Sequence, residues 1–368
     1  MQLTWRPFQL KLAHPWTIAR TLRRGAAARP ERFDVVFLAL RDPDGLLGLG
    51  EAAPSARYGE SVETVMAFLA RVDSQRLSFH DPAGSMRYLD ALSEGHLAAR
   101  CALNLALLDG AAHLAGKSVC DFLGLGFTEH KHVTSFSIGL DQPAVIRKKV
   151  AQAAPFPVLK LKLGGPHDRL NLAALREVAP DKRVRVDANE AWTTKEEALR
   201  HIEWLAGDRH IEFVEQPMPA AAPSEDLAWL KRRSPLPILA DECYVNADDL
   251  ARCRECCHGV NVKLVKAGGI GGSFEALQAA RSAGLRTMIG CMIESSILIT
   301  AAAHLAELAD YLDLDGSLLI TNDPYRGVTA EGGVVSFADA PGKTGLRVAP
   351  REAKGRPQGL LENSWPPT

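Results

Sequence analysis

From Val133 to Gly316 the chain keeps one rhythm, and that rhythm leaves few folds open. Short runs rich in β-branched and apolar residues recur: VTSFSIGL at 133, VLKLKLG at 158, RVRVDAN at 183, FVEQP at 213, PILADE at 237, GVNVKLVK at 259, RTMIGCM at 286 and YLDLDG at 311. Stretches of helical composition separate them. The runs begin about 25 residues apart, the length that a strand, a helix and two loops occupy in a βα barrel. Eight strands is the number that closes such a barrel.

The expected fold class is therefore α/β, a TIM-like (β/α)7β barrel over residues 129–325, since no further βα unit follows Gly316. Residues 1–128 read differently. An alternating N-terminal strand, then DVVFLALR, a DPDG turn and Leu46 to Gly50 predict a small antiparallel sheet. Ser61 to Val72 and Leu97 to Leu114 carry helical apolar spacing, giving an α+β capping domain. Residues 326–368, rich in Gly, Pro and charge, are expected to pack back on that domain and end in a loose tail. At 368 residues the chain is long enough for both units.

The balance of 43 basic against 44 acidic residues gives no electrostatic case for nucleic acid or an anionic membrane. No apolar run approaches the roughly 18 residues of a membrane span, and the N-terminus lacks the apolar stretch of a secretory signal. Seven cysteines, an odd number spread over a long chain, predict reduced thiols and a cytoplasmic protein.

In a βα barrel the C-terminal ends of the strands face the catalytic mouth, and the charges stand there. The second run ends in Lys160 and Lys162, the third in Asp187 and Asn189, the fourth in Glu215, the fifth in Asp241 and Glu242, the sixth in Lys263 and Lys266, the eighth in Asp313 and Asp315. Charge in an apolar strand is costly unless paired or bound to a metal. Asp187, Glu215 and Asp241 lie on adjacent strands and can converge, and oxygen-only ligation with open positions favours Mg²⁺. Lys162 and Lys266, on the second and sixth strands, would face each other across that metal. Two such amines can take a proton from one face of a carbon and return one to the other.

The runs KLKLG, VDANE, VEQP, ADE, NVKLVKAGGI and GCMIESS resemble the muconate-lactonizing-enzyme subgroup of the enolase superfamily over nearly the whole chain. The resemblance implies Asp187, Glu215 and Asp241 as metal ligands, Lys162 and Lys266 as the acid/base pair, Lys160 as a cation beside the substrate carboxylate, and Asn189, Glu242 and Lys263 as supporting residues. YLDLDG is similar to the Asp-x-Asp signature of dipeptide epimerases, with Asp313 and Asp315 receiving the free ammonium of the substrate. It implies a Mg²⁺-dependent isomerase that inverts the C-terminal α-carbon of L-Ala-D/L-Xaa dipeptides, such as L-Ala-D/L-Glu, through a metal-stabilised enediolate. Family members are usually homo-oligomers. N-acylamino acid racemase, o-succinylbenzoate synthase and muconate cycloisomerase remain same-fold alternatives, and a non-catalytic metal-stabilised binding protein is the alternative of another class. A mandelate-racemase-like site is disfavoured, because GCMIESS has no histidine.

Other signals carry less. Gly48 to Ala53 fits G-x-G-x-x-A but closes a hairpin. Cys253, Cys256, Cys257 and His258 lack a second pair with zinc spacing, and His304 reads as a core or interface histidine. Arg20, Arg23, Arg24, Arg29 and Arg32 form a basic loop, and the resemblance implies that it closes over the mouth together with the loop around Ser55 to Glu60. Of these, Arg20 is expected to meet the substrate side chain and to favour anionic or small residues over cationic ones.

Overall fold

The computed structural model describes residues 1–23 and 30–351. The expected loose tail from residue 352 onward lies outside them, as do Arg24 and Arg29 of the basic loop. Strands β1 (Gln2–Lys11), β2 (Arg32–Arg41) and β3 (Leu47–Ala52) form an antiparallel sheet in that order, with helix α1 (Ala19–Arg23) in the β1–β2 connection. Asp42 sets the β2–β3 turn by accepting the Leu46 N–H at 2.8 Å, and Gly45 supplies the positive φ the turn requires. Helices α2 (Val62–Leu69), α3 (Pro82–Leu92), α4 (Leu97–Leu114) and α5 (Val119–Phe122) follow.

The two-residue period of β2 sorts its side chains into two cores. Val36, Leu38 and Leu40 pack with α2 and one side of α4, whereas Val35, Phe37 and Ala39 join the large core that continues into the barrel. Helix α4 is apolar on nearly every side because it lies between the two. Glycines let β3 come close to it: a Cβ on Gly50 would stand 2.0 Å from the Ala102 carbonyl oxygen.

All eight predicted barrel strands form: β4 (Phe136–Ile138), β5 (Val158–Lys162), β6 (Arg183–Asp187), β7 (Ile211–Glu215), β8 (Ile238–Ala240), β9 (Gly259–Val262), β10 (Arg286–Gly290) and β11 (Tyr311–Asp313), each parallel to its neighbour in chain order. Between them run α6 (Pro143–Gln152), α7 (Asp168–Val178), α8 (Lys195–Ala206), α9 (Ser224–Arg233), α10 (Leu250–Cys256), α11 (Ile270–Ser282) and α12 (Ser296–Ala303). The seam is closed by a parallel bridge between Thr134 and Leu312 and by the Ser135 N–H donating to the Leu312 carbonyl at 3.1 Å. This is the (β/α)7β order.

After β11 the chain returns to the N-terminal sheet. Leu12 bridges Ile320, Tyr325 packs edge-on against Phe37 with ring centres 5.0 Å apart, and Leu346 N–H donates to Asp109 on α4 at 2.7 Å. Four short strands lie in this segment, β12 (Tyr325–Arg326), β13 (Thr329–Glu331), β14 (Val334–Ser336) and β15 (Ala349–Pro350). Glu51 of β3 ties the sheet to the barrel. Its buried carboxyl accepts Ser295 N–H, Ser295 Oγ–H and Leu298 N–H at 2.9, 2.6 and 3.2 Å, at the N-terminus of α12. No described helix is long and apolar enough to cross a membrane.

His304, just past α12, is wholly buried and sits where three segments meet. Its Nε2 lies 3.0 Å from the Leu346 carbonyl, to which it must donate, and its Nδ1 accepts the Cys120 N–H at 3.2 Å. Only a neutral ring serves both, and burial drives the pKa from 6.5 to about 4. The unfolded chain thus takes up a proton at a higher pH than the folded one, so stability held above pH 6.5 is lost as the pH falls toward 4. Between pH 7 and 5 this amounts to about 2 kcal/mol. Urea unfolding of the His304→Gln variant, whose amide can donate and accept in the same places, should show a correspondingly smaller acid-side loss than wild type.

Candidate active site

One cavity of about 370 Å³ opens at the C-terminal ends of the barrel strands, roofed by the β1–β2 connection and by the loop from Ala53 to Tyr58. The pleat explains what reaches it. On β5, residues two apart share a face, so Lys160 and Lys162 both point inward. Asp187 and Glu215 are the last residues of β6 and β7, and Asp241 follows β8 directly. Asp313 ends β11, and Asp315 also lines the cavity.

One oxygen from each of Asp187, Glu215 and Asp241 lies within 4.8 Å of the others, and all three side chains are buried. Lysines stand among them. Lys160 Nζ is 2.7 Å from Glu215, 2.7 Å from Asp313 and 3.2 Å from Asp187, and Lys162 Nζ is 2.6 Å from Asp187. Burial would raise the Asp187 carboxyl, but Lys162 and Lys160 outweigh it and hold it at about 2. Asp241 is likewise held low against burial, by Lys263, Lys266 and Lys160. Glu215 is pushed up to about 8 by burial and by the charge of Asp187, which its share of Lys160 does not offset. The donor set, three buried carboxylates of which one is under-compensated, fits a hard divalent cation such as Mg²⁺.

The rest of the predicted set gathers around this triad. Asn189 Nδ2 donates to Asp187 at 3.2 Å. Ser135 Oγ–H donates to Asp313 at 2.6 Å and the Ser137 N–H to Asp315 at 2.6 Å, so backbone and hydroxyl dipoles fix the aspartate pair at one end of the cavity. Burial and the neighbouring Asp313 push Asp315 up to about 6.

One expectation about placement is corrected. It concerns the lysine opposite Lys162. Strand β9 stops at Val262 and the chain turns, with Lys266 N–H donating to the Lys263 carbonyl at 3.0 Å. Lys266 therefore points behind Asp241. Its wholly buried ammonium donates to Asp241 Oδ1 and to the carbonyls of Asp241, Tyr244 and Asn261 at 2.8, 2.6, 2.8 and 3.2 Å, and it does not line the cavity. Lys263 does line it, with Nζ 2.9 Å from Asp241 Oδ2. Burial lowers the Lys263 pKa, but Asp241 outweighs this and holds it above its ordinary range.

Arg20 lines the cavity, and its guanidinium is paired with Glu242 at 2.8 Å and with Glu190 at 3.0 Å. Burial beside Asp241 and Asp187 pushes Glu242 up to about 7, and Arg20 pulls against this. Trp16, Arg57 and Glu190 are participants the sequence reading did not select. The Trp16 ring lies 6.0 Å from Lys162 Nζ, and Arg57 binds Glu190. Glu190 could have been noticed as the next residue of the VDANE run.

The Enolase C-terminal domain-like family model matches residues 144–350. The chain is 60% identical over 348 residues to the L-Ala-D/L-amino acid epimerase of Pedosphaera parvula, covering 95% of this chain and 99% of that one. It is 36% identical to the L-Ala-D/L-Glu epimerase of Bacteroides thetaiotaomicron, over 93% of this chain and 87% of the relative. Among solved structures, the dipeptide epimerase of Enterococcus faecalis complexed with Mg and the dipeptide L-Leu-L-Tyr matches with a TM-score of 0.84 at 29% identity, covering 95% of this chain and 99% of that one.

The placement of the two lysines sets different costs for losing them. Lys266→Met removes the partner of four buried oxygens and should destabilise the protein by about 3–5 kcal/mol. Lys263→Met, whose ammonium faces the cavity and its water, should cost distinctly less. Urea midpoints of the two purified variants measure the difference, and equal losses would contradict the placement.

Proposed function

The chain belongs to the enolase C-terminal domain-like family, and on that premise we propose that it is an isomerase, a Mg²⁺-dependent epimerase of L-Ala-D/L-Xaa dipeptides acting at the α-carbon of the C-terminal residue. The observation that carries the mechanism is that Lys162 and Lys263 line one cavity from strands four apart in an eight-stranded barrel, hence from opposite walls, with the carboxylate triad on the strands between them.

Asp187, Glu215 and Asp241 would hold Mg²⁺, which when bound supplies the positive charge that receives the substrate carboxylate and relieves the lysines of neutralising the triad. Lys160, at the floor of the cavity, adds a second cation on the carboxylate side. Asp313 and Asp315 take the free ammonium with charge-assisted hydrogen bonds, and this fixes which residue of the dipeptide stands between the lysines. The amine of Lys162 removes the α-proton from one face while the ammonium of Lys263 delivers a proton to the other, and the roles exchange for the opposite configuration. Lys266 positions Asp241 from behind. Asn189 holds Asp187, and Glu242 holds Arg20.

In this reading the barrel, residues 129–325, carries the proton chemistry, and residues 1–128 together with the segment from 326 cover the mouth. A cytoplasmic site of action is supported by the cysteines, all seven of which are free.

Incubating the enzyme with Mg²⁺ and L-Ala-L-Xaa dipeptides in D₂O should place one deuterium at the C-terminal α-carbon and yield the L-Ala-D-Xaa epimer, read by mass spectrometry and chiral chromatography. Lys162→Ala and Lys263→Ala should each cut epimerisation by about 10³-fold or more in both directions. Each should keep solvent exchange into the one diastereomer that the remaining lysine faces. Epimerisation retained in either variant, or exchange found only with N-acyl amino acids, would overturn the proposal.

A further inference from the structure

Four charged side chains form an alternating chain from the roof of the cavity down to the metal-side wall. Arg57, in the short turn Ala56–Tyr58, meets Glu190 through two hydrogen bonds, from Nε at 3.1 Å and from Nη2 at 2.9 Å. Arg20 of α1 donates from one nitrogen to both Glu190 at 3.0 Å and Glu242 at 2.8 Å. Glu190 follows β6 with a left-handed backbone, φ 65°, and its N–H donates to the Gln216 carbonyl at 2.9 Å. Its fourth donor is the Ala220 N–H, at 2.8 Å. Both carboxylate oxygens thus accept two hydrogen bonds each, which saturates the group. The arginines line the cavity, and Glu190 stands behind them.

The placement matters because of where a dipeptide must lie, if the epimerase reading above holds. Its carboxylate goes to the triad, its ammonium to Asp313 and Asp315, and its reacting carbon between Lys162 and Lys263. The side chain on that carbon is left with the roof. There the cavity is lined by Trp16, Ile18, Ala56 and Tyr58 together with the two arginines.

We propose that Glu190 sets the substrate's side-chain class: by taking up Arg57 with both oxygens and sharing Arg20 with Glu242, it makes the roof electrically neutral and selects dipeptides whose epimerised residue is uncharged and apolar. An anionic side chain can reach an arginine only by displacing a carboxylate from a complete set of hydrogen bonds. A cationic one meets two guanidinium groups on an apolar wall and pays for its own desolvation. Glu190 touches no substrate in this arrangement, so it is a positioning residue that acts through the arginines.

The test compares kcat/KM for L-Ala-L-Leu, L-Ala-L-Glu and L-Ala-L-Lys by deuterium incorporation in D₂O with Mg²⁺. Wild type should rank L-Ala-L-Leu above both charged dipeptides. Glu190→Gln, which keeps the shape and removes the charge, should raise the Glu/Leu ratio by about tenfold or more, since it weakens charge-assisted hydrogen bonds that hold the arginines. Arg57→Met shifts the balance the other way and should raise the Lys/Leu ratio instead. A loss of packing alone would lower all three substrates together and leave both ratios unchanged, which would overturn the inference; so would a wild type that prefers L-Ala-L-Glu, a result that does not depend on any variant folding. No exchange into any dipeptide by the wild type would instead overturn the epimerase reading and remove the ground for this one.

Discussion

Three carboxylates do not stand within 4.8 Å of one another inside a protein unless positive charge stands among them. Around Asp187, Glu215 and Asp241 that charge comes from Lys160, Lys162, Lys263 and Lys266, each within hydrogen-bond reach of at least one triad residue. Their placements are not equivalent. Lys266 is enclosed by oxygens, holds Asp241 with two of its contacts and does not line the cavity. Lys162 and Lys263 reach the triad from the cavity, where a substrate and a divalent cation can take over the pairing. The same contacts that make the buried acids tolerable thus hold the two amines at the cavity, where the proposed proton transfer needs them.

In the proposed mechanism the barrel and the cap divide the substrate between them. The residues proposed to handle the invariant parts of a dipeptide, its carboxylate, ammonium and α-carbon, come from barrel strand ends, whose positions are set by the register of a closed sheet. In the same reading the variable part falls to loops of the N-terminal unit, which line the cavity from the side away from the strand ends. The boundary between the two is the alternating chain through Glu190 and Glu242, and both of these are barrel residues next to the metal-side motifs.

Much of this was legible in the sequence, and the exceptions have physical causes. All eight barrel strands and helix α4, Leu97–Leu114, lie where the apolar pattern predicted them, because burial on both faces of a parallel sheet, and on all sides of a central helix, leaves long unambiguous runs. The convergence of Asp187, Glu215 and Asp241 followed from adjacent strand ends. Lys266 was expected to face the cavity, where Lys263 stands instead, because GVNVKLVK was read as strand to its last residue. The ladder ends at Val262, and one helical turn carries Lys266 to the far side of Asp241. Arg20 was correctly placed at the mouth, but its partners could not be seen: Glu190 lies 170 positions away and Glu242 lies 222 away, on two different strand ends. Pairing across such distances is fixed by tertiary packing, and no local pattern encodes it.

How firmly the cap is held bears on what its loops can do. The Glu51 carboxyl is buried enough to be pushed up to about 8, yet it accepts three hydrogen bonds at the N-terminus of α12. The Ser295–Leu298 end it grips begins two residues after Ile293, which lines the cavity beside Met292. The sheet is therefore fastened to the barrel close to the reacting centre, and β2 and β3 enter the barrel core with one face. What remains adjustable is the pair of connections that project from this fixed sheet, Trp16 to Arg20 and Ala53 to Tyr58. Two arginine contacts to the barrel then suffice to define the roof, because the backbone that carries them is already anchored on either side.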